Sequence, residues 1–122
     1  HPAVLRALQY IARETRKEGK PVSICGEMAA DPGGALLLMA MGYEVLSMNA
    51  NNIPRVKSAI RGVSLARAQS LLSQVLRMDD AEEIHHYLRR TLKHLGLGQL
   101  TRPRLPDQQE PAEVDSDDSG VN

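Results

Sequence analysis

One residue in this chain of 122 offers chemistry that nothing else duplicates: Cys25, its only cysteine. It stands in Pro21-Val-Ser-Ile-Cys-Gly-Glu-Met-Ala-Ala-Asp-Pro-Gly-Gly34. A thiol can act as a nucleophile once ionised, or as a general acid and base. It can equally be a small apolar packing residue. Composition and spacing leave both readings open. Glu27 reads either as a carboxylate steadying the turn or as a solvated group. Asp31 reads first as a helix cap, because an Asx side chain accepts from the free N–H groups of a first turn. Met28, Met39, Met41 and Met48 read as core filling, since thioether ligation of a metal lacks companion ligands. His85 and His86 are adjacent on a predicted helix, so their side chains diverge and cannot pair on one metal. His94 falls near a helix C-terminus, where a cation suits the dipole.

The elements around the thiol follow from local pattern. Val22-Ser23-Ile24 reads as a short strand that delivers Cys25 at its end. Gly26 permits a sharp turn, and Asp31-Pro32 opens the next helix, with proline in the first turn where its missing donor is not needed. A side chain at the carboxyl end of a strand, before a turn and a helix, is where parallel α/β folds place their sites. Before it, residues 2–18 predict an amphipathic helix with Val4, Leu5, Leu8, Ile11 and Ala12 on one stripe, ended by Gly19. After it, Ala35 to Met41 is apolar all round and predicts a buried helix closed by Gly42. Residues 44–48 predict a second strand. A polar turn then leads to a helix from Ile53 to Ile60, with Asn52 as its expected cap. Two strands joined through a helix are the signature of a parallel βαβ unit.

Two further helices are predicted. The first starts at Ser64, with Leu65, Ala68, Leu71, Leu72, Val75 and Leu76 on one side. The second starts at Asp80, which has capping-box spacing to Glu83, and carries Ile84, Leu88, Leu92 and Leu95. Residues 1–96 are thus expected to form one α/β unit. Residues 97–122 are expected to be a disordered acidic tail, with Pro103, Pro106 and Pro111 among a cluster of acids.

Composition narrows the function classes. Hydrophobic residues make up 42%, enough for a core, but there is no Phe or Trp and aromatics are 2%. A base-stacking nucleic-acid module needs aromatic platforms, so no nucleic-acid partner is expected. Net charge is zero. It is nonetheless split: residues 1–100 hold 13 Lys+Arg against 9 Asp+Glu, and residues 101–122 hold 2 against 6. No apolar run approaches a membrane span, no membrane partner is expected, and a single cysteine fits a reducing compartment. A soluble, cytoplasmic protein is the expectation.

The wording of the central stretch goes further. Ser23-Ile-Cys25-Gly26-Glu27-Met-Ala-Ala-Asp31-Pro32, then Leu36-Leu-Leu-Met-Ala-Met-Gly42, Leu46-Ser47-Met48 and Ile53-Pro54-Arg55-Val-Lys57 stand in this order. With the opening His1-Pro2-Ala-Val-Leu5, they resemble the end of the phosphoenolpyruvate-binding barrel of Enzyme I of the bacterial phosphotransferase system, in wording nearest its nitrogen-regulatory paralogue. Pyruvate phosphate dikinase and phosphoenolpyruvate synthase share the Cys-Gly-Glu core. The resemblance implies the last two βα units of a (β/α)8 TIM barrel, a fold of about 250 residues, with trailing helices. This chain would then be a C-terminal part of a longer enzyme, and inactive alone.

The resemblance further implies a phosphoenolpyruvate–protein phosphotransferase. Such an enzyme moves phosphate from phosphoenolpyruvate to its own histidine and then to a phosphocarrier protein of the HPr type. The family's matching cysteine protonates the enolate product, and this role falls on Cys25. Magnesium is implied for the parent, with ligands and the phosphorylated histidine outside this chain. A homodimer is implied as well. A non-catalytic helical interaction module, with Cys25 as a buried structural thiol, is the reading from a different class.

Overall fold

A computed structural model describes residues 1–101. The element order is α1 (Pro2–Lys17), β1 (Ser23–Cys25), α2 (Glu27–Ala30), α3 (Pro32–Met41), β2 (Val45–Ser47), a 3-10 turn (Ala50–Asn52), α4 (Ile53–Gly62), α5 (Leu65–Val75), α6 (Ala81–His94) and a second 3-10 turn (Gly98–Thr101). The protein is therefore α/β, mostly helical, with one small parallel sheet. β1 pairs β2 with Ser23 opposite Val45, Ile24 opposite Leu46 and Cys25 opposite Ser47.

α3 is the centre of the fold because its sequence leaves no polar face. Leu36, Leu37 and Leu38 are successive residues, so they point in different directions around the helix, and each is at most 1% exposed. Helices α1, α2, α4, α5 and α6 all pack against α3. Asp31 caps it: its carboxylate accepts from the Gly34 N–H at 2.7 Å. Gly42 ends it in the left-handed conformation, at φ 98°. Asp80 caps α6 by accepting from the Glu83 N–H at 2.9 Å, and Ser64 caps α5 by accepting from the Arg67 N–H at 3.3 Å.

The core divides around α3. Leu5, Ala12, Leu37, Leu38, Met41, Leu71, Leu72, Val75, Ile84 and Leu88 belong to the larger cluster, and Ile24, Leu46, Met28 and Met48 pack against it. Leu36, Val63, Ala68 and Leu92 form the smaller one, with Met39 and Leu97 against it. The methionines named in the sequence are thus packing residues, as expected.

Several expectations need correction. The helix from Pro2 buries Leu5 and Ala12, but Val4 and Ile11 of the same predicted stripe remain 52% and 48% exposed. Leu65 is exposed likewise, because it stands at the first turn of α5, outside the face turned to α3. Asn52 makes no capping hydrogen bond. Asn49 instead caps the preceding 3-10 turn, accepting from the Asn51 N–H at 3.0 Å. The one-turn helix α2 has no counterpart among the expected elements; four residues are too few for a periodic signal. The packed body also runs past the boundary expected at residue 96. Leu97 meets the smaller cluster, Leu100 is buried, and the Leu100 carbonyl accepts from Arg55. The remainder of the expected tail, residues 102–122, lies outside the described residues.

Candidate functional site

Cys25 is the last residue of β1 and Ser47 the last of β2, and the two are register partners. Side chains alternate across a strand, so Ile24 and Leu46 turn toward the helices while Cys25 and Ser47 turn to the opposite face. That face is open: Ser23, Cys25, Val45 and Ser47 are all exposed. The thiol is therefore not the buried structural group of the interaction-module reading.

A concavity of about 300 Å³ lies at these strand ends, lined by Cys25, Gly26, Glu27, Ala30, Ser47, Met48, Asn49 and Asn52. Gly26 turns the chain with φ 114° and ψ −173°, a conformation reserved in practice for glycine. Its N–H donates to the Ser47 carbonyl at 3.4 Å, which ties the turn to the neighbouring strand, and its carbonyl accepts from Ala29 and Ala30 as α2 begins. Glu27 stands at the start of α2 and is exposed beside the thiol. The site therefore presents a thiol, a hydroxyl, a carboxylate and two amides on one rim. Such a set can exchange a proton and hydrogen-bond a polar ligand.

The other candidates are placed apart from it. Asp31 is committed to its cap. His1 caps α1, its Nδ1 accepting from the Ala3 N–H at 3.3 Å. His85 and His86 lie exposed on α6, and His94 at the end of that helix bonds through Nδ1 to the Arg90 carbonyl at 2.8 Å. Among the described residues no group of three or more His, Cys, Asp or Glu side chains could hold a metal ion. The residues described do not fit a magnesium site, and no step below runs through one. Ser47 and Asn49 carry no site signal of their own in the sequence, and Asn52 reads there only as a helix cap. The signal for all three is the parallel βαβ reading itself, which places the end of the second strand beside the end of the first.

A βαβ unit with its reactive side chains at the carboxyl ends of parallel strands defines a protein of the parallel α/β class, with its site at the strand-end rim. Comparison with known families narrows this. The model for the PEP-utilising enzyme, PEP-binding domain, matches residues 1–65, and the chain belongs to that family. It is similar to the "Phosphoenolpyruvate-dependent phosphotransferase system" protein of Salmonella typhimurium, 40% identical over 105 residues, which is 86% of this chain and 14% of that protein. The protein of the same name in Escherichia coli is 39% identical over the same share. The "Phosphoenolpyruvate-protein phosphotransferase" of Cupriavidus necator is 41% identical over 103 residues, 84% of this chain and 16% of that protein. The chain thus spans only about a seventh of the length of the curated relatives it matches. No described helix is long and apolar enough to cross a membrane.

Proposed function

We propose that this chain is the closing part of the phosphoenolpyruvate-binding barrel of a phosphoenolpyruvate–protein phosphotransferase, and that Cys25 protonates the enolate it produces. The observation that carries this is the exposed thiol at the carboxyl end of β1, opposite Ser47, on an open sheet face. Further strands and helices of a barrel would cover what is left uncovered here below the rim: the Ser23–Val45 pair at the strand starts, both outer strand edges, and the Val4–Ile11 stripe of α1, while Cys25 and Ser47 stay at the open mouth. The names of the relatives favour a phosphotransferase over the dikinase and synthase that share the Cys-Gly-Glu core.

The chemistry follows from the substrate. Phosphoenolpyruvate passes its phosphoryl group to a histidine elsewhere in the enzyme and leaves the enolate of pyruvate. The Cys25 S–H bond breaks, a C–H bond forms at the methylene carbon, and pyruvate results. The thiolate regains a proton from solvent, to which its exposure gives access. The residues outside this chain would supply magnesium binding, the phosphohistidine and the dimer contacts. The phosphate would leave on a carrier of the HPr type, in the cytoplasm, and the nitrogen-regulatory branch suits the wording of the sequence.

In the full-length enzyme, Cys25→Ala should slow pyruvate formation about a hundredfold, the scale of losing a general acid. Its circular dichroism should be unchanged, because the side chain is exposed. Pyruvate formation at the wild-type rate would remove the assignment.

A further inference from the structure

On the side of the molecule formed by the trailing helices, α5 and α6 enclose a groove of about 450 Å³. Its two walls are single helical stripes. Arg67 and Gln74 stand seven apart on α5, and Tyr87, Arg90 and His94 follow one another on α6, over a floor that includes buried Leu71. No Asp or Glu lines it. Arg67 and Arg90 make no ion pair among the described residues. This sets the groove apart from the arginines of α1, where Arg6 pairs with Asp79 at 2.6 Å, Arg13 with Glu14 at 2.9 Å, and Arg16 donates to the Met41 carbonyl. His94 is held in place as well: a carbonyl oxygen only accepts, so the Nδ1–H donates to the Arg90 carbonyl.

We propose that this groove binds the acidic segment 107–118 of the same chain. That segment carries Asp107, Glu110, Glu113, Asp115, Asp117 and Asp118 and no Lys or Arg. Its charge complements the surplus on residues 1–100. Connectivity favours it over a free ligand. The second 3-10 turn packs on α6 and ends at Thr101, so five residues, 102–106, separate the body from the first acid. At roughly 3.4 Å each they span up to about 17 Å, comparable with the length of α6 itself. A segment tethered this closely is present at an effective concentration on the order of millimolar. Carboxylates match the planar guanidinium forks of Arg67 and Arg90.

The test is a photo-crosslink in the intact polypeptide. A benzophenone side chain in place of Val114, irradiated at low salt, should join residues of the α5 and α6 stripes within the same molecule. The yield should fall about tenfold in the Arg67→Gln, Arg90→Gln pair, and also at high salt, where exposed charges are screened. Three results would overturn the proposal: crosslinks to the α1 arginines, to the Cys25 rim or to a second copy; no crosslink at all; or a yield indifferent to both arginines. The wild-type crosslink map decides the location by itself, whether or not the double variant folds.

Discussion

The backbone carbonyl of Met28 occupies the space that a β-carbon on Gly34 would need, at a separation below the 3.0 Å that real β-carbons respect. The one-turn helix α2 thus lies directly on the start of α3, and only a hydrogen at position 34 lets it do so. This contact connects the core to the rim, because α2 begins two residues after Cys25. Gly34→Ala should cost about 2 kcal/mol or more, since a main-chain oxygen cannot rotate away as a side chain can. Gly33→Ala is the control. Its added carbon would meet the Asp31 carboxylate at 3.2 Å and Leu88 at 3.5 Å, and side chains can yield. Thermal unfolding of the two variants should separate them clearly, and equal losses would refute the packing argument.

Gly26 is required for a different reason. A β-carbon there would meet nothing within 4 Å, so space is not the constraint. The backbone is: φ 114° with ψ −173° costs a non-glycine residue about 1–3 kcal/mol. Gly26→Ala should therefore destabilise the protein or flip the turn, and a flipped turn would change the alkylation rate of Cys25. Gly19→Ala, at φ 62°, lies in the ordinary left-handed region and should cost only about 1 kcal/mol without altering that rate. Unchanged stability and thiol reactivity in Gly26→Ala would show that the turn does not hold the thiol.

Asp31 lies close in sequence to the rim, yet its carboxylate is used on the Gly34 N–H. Asp31→Ala should lose about 1 kcal/mol of stability, and Asp31→Asn, which keeps an acceptor oxygen, much less. In the full-length enzyme both variants should retain turnover once corrected for folded fraction. A loss of activity in Asp31→Asn with stability intact would instead make this residue a ligand of the substrate.

The parts of the molecule that were legible in the sequence are those where several local signals coincide. α3 was readable because an unbroken apolar run sits between Asp31-Pro32 and Gly42, and the caps at Ser64 and Asp80 because an acceptor precedes each helical stripe. The position of Cys25 at a strand end was readable from the strand–turn–helix order. What failed was decided at longer range. Val4 and Ile11 belong to an apolar stripe by period, but which part of a stripe is covered depends on neighbours, not on the stripe. Asn52 had the right chemistry for a cap, and Asn49 took a cap position because a 3-10 turn intervened before α4. The packing of Leu97 and Leu100 had no periodic signal, since it rests on contacts with α4 and on the reach of Arg55. Ser47, opposite the thiol, became visible only with the strand register.

Tyr43 links the turn before β2 to α1: its hydroxyl donates to the Leu8 carbonyl at 3.2 Å, and the residue is 7% exposed. Burial disfavours the phenolate and raises the Tyr43 pKa above its ordinary value. The sign of the linkage follows. The native state holds this proton more tightly than the unfolded chain, so the stabilisation is fully present below the unfolded value of about 10 and is lost as pH rises through the higher folded value. Tyr43→Phe removes both the hydrogen bond and the titration. It should be less stable than wild type by about 1 kcal/mol at neutral pH. Above pH 10 that difference should shrink, because only the wild type then has to keep a buried hydroxyl protonated. Denaturant unfolding of both proteins between pH 7 and 11 measures it. A gap that stays constant across that range would mean that the hydroxyl is solvated in the folded state and that the contact with Leu8 does not close this edge of the core.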